Sequence, residues 1–166
     1  MHVLIVPKWY PGRNDPQLGD FIRKQAIELS RHMSISVLFV HPSPDLERRL
    51  SIEEHAEGAL RELRVYYRPS RISLRPLRKL VNLGRFLQAA RSGSKRIIEQ
   101  TGVPDLTQAY ILVRPLLVAR FMKWRYGVPF IVSEQSSEFL DGTYAQRSWI
   151  HRAFVRSFSR SSRGWT

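Results

Sequence analysis

Three short runs of this chain read as strands, "HVLIV" at 2–6, "ISVLFV" at 35–40 and "PFIVS" at 129–133, and the first is apolar without alternation. A strand with one face in water alternates apolar and polar residues; a strand covered on both faces does not. Between the first two runs, Ile22, Ala26, Leu29 and Met33 recur at spacings of four, three and four, one stripe on a helix. Doubly covered strands alternating with helices require a parallel sheet with helices on both faces, because the crossover helices do the covering.

Two internal punctuation marks agree. "GVPD" at 102–105 and "GVPF" at 127–130 each end a helical pattern and open a strand. Glycine takes the left-handed conformation past a helix end, and a proline soon after bars continuation. Further strands are expected in "LRVYYR", 63–68, and "DLTQAY", 105–110. One helix is expected across "RPLRKLVNLGRFLQAARSGSKRIIEQTG", with Leu77, Leu80, Val81, Gly84 and Leu87 on one side. Another is expected across "RPLLVARFMKWRYG", with the stripe Val113, Leu117, Phe121 and Trp124, and a last one across "YAQRSWIHRAFVRSFSR". The segment 41–60 is acidic and basic by turns and receives no assignment. The expected fold is α/β: a doubly wound parallel sheet of five strands, ordered 3-2-1-4-5, in a single domain.

At 166 residues, such a domain buries roughly 70% of its unfolded surface and needs no staples. Cysteine is absent, which excludes disulfides and thiolate metal sites. No apolar run is long enough to span a bilayer, and the start "MHVLIVPKWYP" lacks the charged region and cleavage site of a signal peptide. A cytoplasmic location is expected. The formal charge is +13 and unevenly spread. From Arg61 to Arg96 there are eleven Lys or Arg against the single acid Glu62; after Asp141 there are five arginines and no acid. A surface of this kind attracts phosphates, anionic lipid or nucleic acid, or else simply keeps the domain soluble.

In an open parallel sheet, ligands bind at the carboxyl ends of the strands near the switch point. That rule selects the loop "PKWYPGRNDPQLG" after the first strand, the turn "AYILVR" and the polar run "SEQSSEFLDGTY". The first loop has only Gly12 and Gly19, so it is no dinucleotide fingerprint. Trp9 and Tyr10 offer flat amphipathic faces for a sugar ring or lipid headgroup, or else pack the loop onto the sheet. Gly19, at the helix entrance, either lets an anion approach the free N–H groups there or makes a plain turn. Glu134, Gln135 and Ser136 suit hydrogen bonding to hydroxyls, or else serve as turn and cap residues. Tyr110 and Arg114 are within reach of the same cleft. No catalytic constellation emerges: His2, His32, His41, His55 and His151 fall at no metal-ligand spacing, and there is no P-loop, G-x-S-x-G or zinc-protease signature.

Taken in order, "VLIVPKWYP…GDFIRKQAIELSRH", "PDLTQAYILVR" and "YGVPFIVSEQSSEFL" resemble the N-terminal domain of family 4 glycosyltransferases, over nearly the whole chain. The resemblance implies one half of a GT-B fold, a Rossmann-like domain that binds the acceptor of a retaining enzyme. It implies that a nucleotide-sugar donor is bound mainly by a C-terminal domain absent from this chain, that no other cofactor is used, and that the chain alone is inactive. It also implies a saccharide or lipid-linked acceptor. Two positions depart from the family's pattern. Gln135 stands where histidine is frequent, and Gln108-Ala109-Tyr110 stands where His-x-His is frequent; both remove proton transfer from this half. No catalytic residue is assigned.

On the last expected helix, Arg152, Arg156, Arg160 and Arg163 share one face, opposite Ile150, Phe154 and Phe158. The arginine face is either plain solvent surface or a contact with anionic lipid, which would make the protein peripheral on a membrane. The charge also admits a non-catalytic anion- or nucleic-acid-binding module. Nucleic acid is not expected as a partner, because the only aromatics beside the basic run, Tyr66 and Tyr67, are accounted for by their strand.

Overall fold

A computed structural model describes residues 1–110 and 113–133. The chain runs β1 (His2–Pro7), α1 (Asp20–Ser30), β2 (Ser34–Pro42), β3 (Leu50–Glu57), β4 (Leu60–Tyr67), α2 (Arg75–Thr101), β5 (Leu106–Tyr110), α3 (Arg114–Tyr126) and β6 (Phe130–Ser133). The six strands form one sheet in the order β3-β4-β2-β1-β5-β6. Five are parallel, and their order is the 3-2-1-4-5 expected from the sequence. The fold is α/β and Rossmann-like. Both Gly-Val-Pro joints fall where expected, after α2 and after α3.

The unbroken apolar runs have a direct explanation in the side-chain period of two. On β1, Val3 and Ile5 point to one face of the sheet, where they meet Ile22 and Ala26 of α1 and Ile35 and Val37 of β2. Leu4 and Val6 point to the other, under Ala89 and Ile97 of α2 and Met122 of α3. Both faces of the central strands are therefore core. Each fully buried Leu or Ile contributes about 1.5–3 kcal/mol, so polar alternation anywhere on β1 or β2 would be costly.

Two expectations are corrected. The sheet is not wholly parallel, since β3 lies antiparallel to β4 at the edge and comes from the segment that had no assignment. Its sequence "LSIEEHAE" puts Leu50, Ile52 and Ala56 on one face, but Glu54 interrupts the alternation. Beyond its ladder with β4 and the packing of Leu50 on the core, charge holds it: Glu53 pairs with Arg13, and Glu54 accepts from Arg96 and Gln100 of α2.

The second correction concerns which faces of α2 and α3 turn inward. Leu77, Leu80 and Leu87 are 45%, 66% and 43% exposed, and the residues facing the sheet are Phe86, Ala89, Ala90, Gly93, Ser94 and Ile97. Small residues win because the helix lies close to the strands. A Cβ added at Gly93 would stand 2.5 Å from Leu38 Cδ1 and 2.9 Å from Val65 Cγ2. On α3 the buried residues are Pro115, Leu116, Val118, Ala119 and Met122, while Trp124 is 82% exposed. Phe121 alone of the expected stripe packs against the core, edge-on to Tyr126. The α1 stripe is as expected, with Ile22 and Ala26 buried and Leu29 and Met33 against them. The last expected helix lies outside the described residues. Among the described residues no helix is long and apolar enough to cross a membrane.

The two faces of α2 separate in a simple comparison. Gly93→Val overpacks the interface with β2 and β4 and is expected to cost more than about 1 kcal/mol. Leu80→Ser, on the outward face, is expected to change stability by less than about 0.5 kcal/mol. Urea unfolding of the two variants measures both values.

Candidate functional site

The loop that joins β1 to α1 is tied down rather than loose. Its anchor is Tyr10, fully buried, whose hydroxyl donates to Glu62 Oε1 on β4. The same carboxylate, itself 1% exposed, accepts from Arg23 Nε of α1 at 2.9 Å and from Arg64 of β4 at 3.3 Å. Arg64 Nε also donates to the Pro11 carbonyl at 2.8 Å, and the Arg13 amide donates to the Tyr66 hydroxyl at 3.2 Å. Burial alone would push the Glu62 carboxyl upward. The Tyr10 hydroxyl and the two guanidinium groups outweigh it and hold the carboxyl below its ordinary value of 4.5. Burial and the neighbouring carboxylate raise the Tyr10 phenol.

Gly19 opens α1 with φ 68° and ψ 26°. A side chain there is strained by the left-handed backbone, and a Cβ would overlap the backbone carbonyl of Trp9. The room beside Gly19 is thus filled by this chain's own loop, which is why the loop can turn back on itself at that point.

Consecutive residues of the loop face opposite ways. Tyr10 enters the core on the α1 side, and Trp9, half-buried, lines a cavity at the carboxyl ends of β1 and β2. The cavity holds about 260 Å³. Lys8 and Trp9 wall one side, with the Lys8 ammonium 4.9 Å from the Trp9 ring centre. His41 and Pro42 end β2, Phe86 comes from α2, and Arg114 and Pro115 begin α3. The Arg114 guanidinium lies 5.2 Å from the Phe86 ring centre and donates to the Tyr67 hydroxyl at 2.9 Å. Val113, before it, has φ 90°, a setting that costs a β-branched residue about 1–3 kcal/mol. His41 stacks on Phe39 at 5.3 Å. Burial first, and the Arg114 charge second, lower its pKa from 6.5, so the ring is neutral at neutral pH.

The chemistry of this wall is one-sided. Two cations, a neutral imidazole, an indole face and the positive end of α3 surround the space, and among the described residues no carboxylate lines it. That set suits a hydroxyl-rich or anionic ligand. Among the described residues it provides no carboxylate as a general base, and no cluster of three or more His, Asp or Glu fits a metal ion.

No family model matches the chain, and no curated protein matches it either. Among solved structures, it is similar to an α,α-trehalose-phosphate synthase (UDP-forming) from Burkholderia xenovorans, crystallised with glucose-6-phosphate. The identity is 12%, the TM-score 0.43, and the match covers 80% of this chain and 32% of the other. The chain thus spans about a third of that enzyme's length.

Of the residues singled out in the sequence, the structure brings Trp9 and Arg114 together at the cavity. Tyr10, Gly19 and Tyr110 are elsewhere: Tyr10 and Tyr110 are buried in the core beneath α1, and Gly19 begins that helix. Tyr110 donates to Gln25 Oε1 at 3.0 Å, and Tyr10 presents no face to a ligand. Gln108, one of the two departures from the resembled pattern, donates to Ser133 Oγ at 2.8 Å. Glu134, Gln135, Ser136, Arg152, Arg156, Arg160 and Arg163 lie outside the described residues. Lys8, His41 and Phe86 were missed. The strand-end rule that picked the loop after β1 applies equally to β2, and would have found His41.

Two titrations follow. Glu62→Gln leaves two guanidinium groups without their counter-charge and is expected to cost about 3 kcal/mol at pH 7. Because the folded carboxyl titrates below its unfolded value, the stability it contributes is present above pH 4.5 and is lost as pH falls through the lowered folded value. The gap between wild type and variant should therefore narrow on acidification, as read from urea melts at neutral and acid pH. Arg114→Gln should raise the His41 pKa toward 6.5, followed by the imidazole proton shifts in an NMR titration.

Proposed function

We propose that this domain binds the acceptor for a glycosyltransferase of the family 4 type, forming one half of a GT-B enzyme. The observation that carries the proposal is the cavity at the carboxyl ends of β1 and β2. It sets the Trp9 face beside Lys8 and Arg114, with no acid in the wall among the described residues. An indole face suits the apolar side of a pyranose ring, and a guanidinium suits its hydroxyls or a phosphate carried on it. The cavity stands at the end of the sheet where open α/β domains take ligands. The ordered motifs from the "WYP" loop to "GVPFIVSE" support the same reading.

In this reading the nucleotide-sugar is a substrate held by a donor domain that these 166 residues do not provide. The role of the present chain is orientation. Trp9 and the Phe86–Arg114 stack fix the acceptor against the sheet, and positioning of this kind lowers a barrier by removing entropy before the chemical step. Proton removal from the acceptor falls to the leaving diphosphate, since His41 is the only uncharged base in the described wall and is held by Phe39 and Arg114.

Saturation-transfer NMR on the 166-residue chain, with a panel of hexoses, hexose phosphates and short glycans, tests this reading. We expect millimolar binding by at least one class, weakened about tenfold in Trp9→Ala and in Arg114→Ala, and no transfer from any nucleotide-sugar by the chain alone. Binding that ignores both substitutions, or turnover by this chain, would refute it.

A further inference from the structure

The flank of α2 that meets the β3–β4 hairpin is matched in charge at one end only. Toward the end of the helix, Arg96 and Gln100 donate to Glu54 of β3 at 2.6 and 2.8 Å. Nearer its start, Arg85 faces Arg49, just before β3, and Arg68, just after β4, across a small crevice. Three guanidinium groups thus gather at one end where the other end has a carboxylate. Among the described residues no acid lines this crevice, and no acid pairs with any of the three. Main-chain carbonyls hold two of them instead. Arg85 Nη1 donates to the Arg68 carbonyl at 2.7 Å, and Arg68 Nη1 donates to the Glu47 carbonyl at 3.3 Å. The Arg68 amide donates to the Arg49 carbonyl at 3.1 Å, which fixes the backbone that carries the third. A carbonyl orients a guanidinium without cancelling its charge, and it leaves most of the five N–H donors for a ligand.

We propose that this crevice binds a phosphate group, as the free ion or as the end of a monoester, between Arg49, Arg68 and Arg85. Its size selects a compact ligand. It holds about 90 Å³, well below the roughly 300 Å³ and upward of sites for larger small molecules. Its charge selects a dianion over a carboxylate, because three cations converge on one space. Guanidinium forks match the paired oxygens of a phosphate and bond them two at a time. Leu50 and Tyr67 form an apolar floor that excludes water on one side and strengthens the attraction. The Gln88 amide stands at the rim as a further donor. A bound phosphate would tie the hairpin to α2 as Glu54 does at the other end. The site stands without the sugar-transfer reading, although it has a consequence for it. Tyr67 lines the crevice, and its hydroxyl accepts from Arg114 in the wall of the cavity at 2.9 Å. A ligand that fixes Tyr67 therefore fixes Arg114 as well.

The test titrates the full chain with inorganic phosphate at constant ionic strength, chloride making up the difference. The side-chain Nε–Hε signals of the arginines are followed by NMR, and the melting temperature is followed in parallel. The expected result is saturation in the millimolar range, shifts at Arg68 and Arg85, and a melting temperature that rises with phosphate concentration. Affinity should fall at least about tenfold in Arg49→Gln and in Arg85→Gln. It should change less than about twofold in Arg78→Gln, an exposed position on the same helix outside the crevice. Gln88→Glu keeps the shape of the side chain and supplies the absent carboxylate. That variant should lose the response to phosphate and melt higher than the wild type in phosphate-free buffer, with circular dichroism showing that it is folded. Methyl phosphate separates the two sources. Equal affinity supports the proposal with a monoester as ligand, and an affinity about tenfold weaker supports it with the free ion. A response to phosphate no greater than to chloride would overturn the proposal. So would a loss in Arg78→Gln as large as in Arg85→Gln, or a Gln88→Glu chain that binds as the wild type does. Shifts at Arg114 and His41 without any at Arg68 and Arg85 would put the ion in the cavity instead, and the proposal would fail.

Discussion

A single buried carboxylate organises the entrance to this fold. Glu62 stands on β4, yet it receives the loop after β1 through Tyr10, helix α1 through Arg23 and its own strand through Arg64. Three separate pieces of chain therefore converge on one side chain. Removing a partner from such a cluster leaves charge in a dry place, which costs more than assembling the cluster gains. The arrangement thus acts mainly through specificity. The loop has one position in which all groups are satisfied, and that position turns Trp9 outward into the cavity while Tyr10 turns in. The ligand-facing wall depends on a contact made on the opposite side of the sheet.

The strands were legible because burial on both faces leaves a mark that survives in a single sequence. "HVLIV" and "ISVLFV" are apolar on both faces except at His2 and Ser36, which are buried and bonded to each other. The Gly-Val-Pro joints were legible for a similar reason, since ending a helix and starting a strand needs particular backbone conformations. Helix faces were harder. Periodicity finds a stripe but does not say which stripe is inside, and on α2 the large aliphatics are the wrong guide. Close approach to a twisted sheet selects Ala89, Ala90 and Gly93, whose smallness is their contribution, and hydrophobicity counts give such residues little weight. β3 was missed because Glu54 breaks its apolar alternation, and the ion pairs that help to hold it, to Arg13 and Arg96, are distant in sequence.

The site was legible in part. The strand-end rule led to Trp9, and the turn after β5 led to Arg114; the structure sets them across one cavity. Tyr10 misled because an aromatic in a polar loop looks the same in sequence whether it faces water or core. Only the position of Glu62 decides it, and Glu62 is fifty-two residues away. His41 escaped notice because histidines were weighed as metal ligands. Its actual setting, stacked on Phe39 with Arg114 nearby, makes it a neutral hydrogen-bonding group.

The antiparallel edge has a meaning beyond its own stability. A parallel sheet ends in unpaired backbone groups that invite another strand. Here one border is occupied by β3, whose side chains include Glu53, Glu54, His55 and Glu57. A second copy of β3 laid alongside would bring glutamates against glutamates. The hairpin therefore works as a terminator for the sheet, so that a protein with so many unbroken apolar strands does not grow by stacking copies along that border.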